Sequence, residues 1–107
     1  MTFYIKQHDT SPAILATLSD ATGAAIDLTD ATIRFHMRPI GKTTVVVDAA
    51  ASIVTAATGD IRYDWIGADT ATIGSFQAEF EVTFPDSSIE TFPNDSYVRI
   101  EIINDIA

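Results

Sequence analysis

The chain has 107 residues, 47% of them hydrophobic and 20% charged, which supplies one hydrophobic core and is too short for two. Fifteen acidic residues against six Lys and Arg leave a formal charge of -9, and that field repels phosphate backbones and anionic lipid, so neither nucleic acid nor membrane is an expected partner. With no cysteine, disulfides, thiolate catalysis and zinc-thiolate sites drop out together.

The opening MTFYIKQHDT has no apolar run of secretory-signal length, and no apolar stretch reaches a membrane span. Residues 3–6 read as a short edge strand containing Phe3, Tyr4 and Lys6. His8 and Asp9 resemble part of a catalytic pair, but neighbours on a strand point to opposite faces and no nucleophile is spaced to join them, so a turn histidine is expected. Ile14, Ala16 and Leu18 mark a second strand that ends at the turn residues 20–23. Asp20, Asp27 and Asp30 bracket DATGAAIDLTD. Oxygen-rich loops at the end of a sandwich can bind calcium, yet the spacing matches no EF-hand loop, and turn or capping chemistry is the expectation.

Ile33, Phe35 and Met37 alternate with Thr32, Arg34, His36 and Arg38 until Pro39 and Gly41 stop the run. The polar phase forms a basic stripe, Arg34, His36 and Arg38, expected to be solvated and open to an acidic partner rather than to ligate a metal. Residues 44–47 are β-branched and read as strand. Residues 49–57 are ambiguous, because the alanines favour helix while Ser52, Ile53, Val54 and Thr55 favour strand, and the segment is short for a helix. Ile61, Tyr63 and Trp65 share a phase, which places Trp65 in the core rather than on a sugar-stacking surface. Asp60, Asp64 and Asp69 form no recognisable ligand set, and paired carboxylates of this kind usually lie on a solvated face.

From Gly74 the alternation is strongest: Phe76, Ala78, Phe80, Val82 and Phe84 on one side, Gln77, Glu79, Glu81 and Thr83 on the other. Pro85, Asp86 and the serines after them make a turn, and residues 89–92 run back as a hairpin whose arms carry the two TFP triplets. A last strand over residues 97–103 puts Val98, Ile100 and Ile102 on one face and Tyr97, Arg99 and Glu101 on the other. About seven to nine short strands at such spacing predict one all-β domain over residues 1–107, an immunoglobulin-like antiparallel β-sandwich, with a small closed barrel as the structural alternative. No phosphate loop, nucleophile elbow or basic-aromatic strip accompanies them, so no enzyme, cofactor or metal site is expected.

Four phrases taken in order carry a resemblance: FYIKQHDTSP at 3–12, GAAIDLTDATIRFHMR at 23–38, TGDIRYDW at 58–65, and a closing group of Asp69, Thr70, GSFQAEFEV at 74–82 and TFP at 91–93. Together they resemble the immunoglobulin-like N-terminal domain of phage baseplate upper proteins. The passage 69–76 also resembles the Asp-x-Gly-x-Tyr corner of immunoglobulin-like folds, with Phe76 in the aromatic position and hence no hydroxyl there.

The resemblance implies a non-enzymatic virion structural protein, made in the host cytoplasm, that docks to other virion proteins in a homo-oligomeric or otherwise symmetric multi-copy assembly. Baseplate upper proteins continue past this domain into segments that hold receptor-binding proteins, so that role does not carry over. The expected places are the baseplate, tail or neck, with capsid decoration as one alternative and a carbohydrate-binding adhesion module as another. Candidate contact residues are Phe3, Tyr4 and Lys6 at the edge, the stripe Arg34, His36 and Arg38, and the hairpin tip at Pro85 and Asp86.

Overall fold

In the computed structural model, which describes residues 2–106, the period-two segments become eight strands: β1 (Thr2–Lys6), β2 (Ile14–Thr17), β3 (Thr32–Pro39), β4 (Val47–Thr55), β5 (Asp60–Tyr63), β6 (Gly74–Thr83), β7 (Ile89–Phe92) and β8 (Val98–Ile103). Their lateral order is β1-β8-β6-β3-β4-β5-β2, with β7 also paired to β6. The fold is all-β and sandwich-like, nearly closed on itself. Strand β4 belongs to both layers, its first half pairing with β3 as far as Ala51 and its second half with β5 from Ser52 onward, with a bulge at Val54 inside that second pairing. The larger layer therefore holds β1, β8, β7, β6, β3 and the start of β4, and the smaller holds the end of β4, β5 and β2.

One pair departs from the antiparallel expectation. β1 lies parallel to β8, because residues 7–13 carry the chain from β1 to the other layer instead of turning back in a hairpin. The long strand β6 pairs with β3 along one edge. Its other edge is shared, the first half by β8 as far as Ala78 opposite Val98 and the second half by β7 from Phe80 opposite Phe92. Residues 93–97 consequently loop out of the ladder opposite Glu79.

Two local expectations are settled by the backbone. Residues 44–46 are loop rather than strand, and β4 begins at Val47. β-branching reports fitness for a pleated, half-buried surface, but Val45 and Val46 stay half exposed, and only the Val46 N–H reaches back, to the Met37 carbonyl at 2.8 Å. Alanine-rich residues 49–55 continue β4, and a 3-10 turn at Ala56–Thr58 ends at Gly59 with φ 72°. A Cβ at Gly59 would lie 2.5 Å from the Leu18 carbonyl oxygen and 2.9 Å from that of Ile26, so glycine is required there both sterically and by its left-handed backbone.

The predicted inward phases meet in one core that includes Ile33, Phe35, Met37, Phe76, Phe80, Val82, Ile100 and Ile102. Phe35 ties the layers together. Its ring stacks on Tyr63 of β5 at 4.3 Å between centroids, meets the edge of Trp65 at 5.6 Å and contacts Phe80 of β6 at 5.3 Å. Each such aromatic contact adds about 0.5–1.5 kcal/mol beyond burial.

Candidate functional site

Residues directly opposite each other in a sheet project from the same face, so the register maps the outer face of the larger layer row by row. One row reads Tyr4, Glu101, Ser75. The next reads Thr2, Arg99, Gln77, Arg38, and a third Glu79, His36, Asp48. Of the candidate contact residues, Tyr4, Lys6, Arg34, His36 and Arg38 thus come together on one face although they belong to two strands separated by β8 and β6. Phe3 does not join them. It points inward, its ring 5.9 Å from Trp65 and packed against the core, because alternation gives the inner phase to the odd positions of β1. Pro85 and Asp86 sit at the exposed hairpin tip, where Asp86 Oδ1 accepts the Ser88 N–H at 2.9 Å and its hydroxyl at 2.6 Å.

Electrostatically this face is matched rather than basic. Arg34 donates Nε and Nη2 to Asp48 Oδ1 at 3.0 and 2.8 Å, and Nη2 also to the Asp48 carbonyl. His36 lies between two carboxylates, Nε2 3.3 Å from Asp48 and Nδ1 3.4 Å from Glu79. Arg34, chiefly by hydrogen bonding and with help from His36, holds the Asp48 carboxyl below the usual carboxylate range. The Arg99 guanidinium and the Ser75 hydroxyl do the same for Glu101. Arg38 has no ion pair or side-chain hydrogen bond among the described residues. The expected free basic stripe is therefore reduced to one unpaired cation, since acidic positions on β4 and β6 fall opposite Arg34 and His36.

Around these side chains the face forms a groove of about 590 Å³ with His36, Arg38, Gln77 and Glu79 on its floor, Val45 on one wall and Tyr97 on the other. Tyr97 reaches this position because residues 93–97 leave the ladder beside Glu79. The groove offers a guanidinium, an amide, a carboxylate and a phenol, which suits reversible recognition. Both nitrogens of His36 face carboxylates of this surface. Those nitrogens point in opposite directions, so His36, Asp48 and Glu79 do not converge on one ion, and no cluster of three such ligands forms among the described residues.

The remaining acidic loops carry turn chemistry. Asp20 Oδ1 accepts the N–H and hydroxyl of Thr22 and the N–H of Ala24, and Asp27 Oδ1 accepts both donors of Thr29. Asp60 accepts the Thr17 and Thr58 hydroxyls. His8 occupies a turn with φ 68°. Trp65 is 4% exposed, which leaves no aromatic platform there, and its indole N–H is buried without a partner among the described residues. Sequence reasoning missed the placement of Tyr97 beside Glu79. Alternation assigned Tyr97 to the polar face, but the loop that brings it over β6 has no local signature.

No protein-family model matches the chain, and no curated protein matches it.

Proposed function

We propose that this is a non-enzymatic structural protein of a bacteriophage particle, working by docking to other virion proteins at the baseplate, tail or neck. The sequence resemblance supplies the setting. The observation that carries the docking role is the convergence of Tyr4, Lys6, Arg34, His36 and Arg38 on the outer face of the larger layer, beside an open groove with unspent hydrogen-bonding capacity. A multi-copy particle repeats each contact, so a modest patch per copy is sufficient. Arg38 is the natural anchor for an acidic group on the partner, being the cation of the groove that no carboxylate among the described residues pairs.

Charge reversal tests this reading. Particles grown with Arg38→Glu should incorporate less of the protein than wild type when purified virions are immunoblotted, while the isolated variant keeps its thermal stability. Unchanged incorporation of Arg38→Glu and of Arg34→Glu would remove this face from the account.

A further inference from the structure

We infer that the free edge of β2 is a strand-addition site for an extended, basic segment of a partner protein. Among the described residues β2 pairs with β5 alone. The Leu18 N–H bonds the Gly59 carbonyl at 2.8 Å, one step beyond the pair Thr17 and Asp60. In an antiparallel ladder hydrogen-bonded pairs recur every second residue, so Ile14 and Ala16 direct their backbone groups at β5. Leu15 and Thr17 direct theirs outward, as a ready ladder for another strand.

Alongside this edge runs a second groove, of about 480 Å³, between residues 16–21 and the looped-out residues 92–98. Ala16, Pro93 and Tyr97, all partly exposed, line it above the buried Phe80 and Phe92, so an added strand would have apolar surface to meet on one of its two faces. Its lining includes Asp20 and Asp95 and no Lys or Arg, which selects for a cationic occupant.

Comparison with the opposite edge explains the choice of β2. Unguarded edges are association sites, and proteins block them with charge or cover. β1 ends in Lys6, whose carbonyl already accepts the Asp9 N–H at 3.1 Å, and Ser11 and Pro12 lie beside it around a smaller hollow of about 220 Å³. β2 carries no charged residue, and Leu15 is 64% exposed.

The inference deepens the docking reading and is tested apart from it, in solution and without particles. The probe is a heptapeptide alternating Lys and Val, followed by amide hydrogen exchange and NMR shifts on the intact chain. Saturable binding that slows exchange at Leu15 and Thr17 by roughly tenfold or more is expected, with weaker binding when Glu replaces Lys in the peptide. Leu15→Pro removes one outward N–H at a position an edge strand tolerates and should abolish the effect. Asp95→Lys, which touches no strand, should weaken it even if the proline variant fails to fold. Absence of protection at Leu15 and Thr17 at high peptide concentration, protection at Tyr4 instead, equal binding of the Glu peptide, or a folded Leu15→Pro that still binds would each overturn it.

Discussion

The Tyr63 hydroxyl donates to Asp69 Oδ2 at 2.5 Å, and the same oxygen accepts the Ile66 N–H at 3.0 Å. In the Asp-x-Gly-x-Tyr corner that residues 69–76 resemble, such a hydroxyl comes from the tyrosine, a position held here by Phe76. The bond is supplied instead by β5, from the tyrosine stacked on Phe35. One side chain thus joins the aromatic core to the 3-10 turn Gly67–Thr70 that leads into β6.

Tyr63→Phe keeps the ring stack and deletes only this bond. Since the acceptor is a carboxylate, a loss of about 1.5–3 kcal/mol is expected, read as a lower urea midpoint at unchanged slope. Burial first, and then the Asp69 carboxylate, raise the Tyr63 pKa above its usual value. The stability this contributes is complete below the unfolded-state pKa of about 10 and is lost as pH rises beyond it. Alkaline unfolding of the Phe variant should therefore begin from lower stability yet fall less steeply above that pH.

Gly59 and Gly41 separate space from strain. Both have positive φ, 72° and 81°, but a Cβ at Gly41 meets nothing within 4 Å. Gly41→Ala should cost only the left-handed backbone penalty, about 1–2 kcal/mol. Gly59→Ala must in addition push apart the carbonyls of Leu18 and Ile26, so its unfolding midpoint should fall well below that of Gly41→Ala.

Acid should destabilise the protein through its turns. Thr22 holds the Asp20 carboxyl below its ordinary value, as Thr29 does for Asp27, Thr58 and Thr17 for Asp60, and Ser88 for Asp86. A carboxyl whose native pKa is depressed contributes stability that is complete above its unfolded pKa, roughly 3.9, and lost as pH falls through the native value. Melting temperature should decline below about pH 4. Asp20→Asn, which cannot titrate, should shrink that decline.

How much of this was legible beforehand depended on how sharply each segment separates its two faces. Strands β3, β6 and β8 place large apolar residues on one phase and charged ones on the other, so their inward faces follow from alternation alone and their ends to within a residue. β4 hides the same pattern, because Ala49, Ala50 and Ala51 occupy both phases and erase the contrast. At residues 44–46 composition imitates a strand, yet only the Val46 N–H meets the backbone of β3. The candidate face was readable as single strands, and Arg34, His36 and Arg38 were correctly assigned to one phase. That Asp48 and Glu79 would fall beside His36 is a matter of register between distant segments, which local periodicity does not encode.

The pair Arg34 and Asp48 is exposed on both sides, at 45% and 58% of the side chain, so water and salt screen it. A double-mutant cycle with Arg34→Ala and Asp48→Ala should give a coupling of only about 0.2–1 kcal/mol. A value several times larger would mean the face is buried by association in solution.

Gold-labelled antibody electron microscopy on particles from the culture that makes this protein tests the central claim most directly. The account predicts label at one fixed position, the tail tip, tail or neck. Label spread over the head would replace that placement with capsid decoration, and abundant particles carrying no label would contradict a virion role altogether.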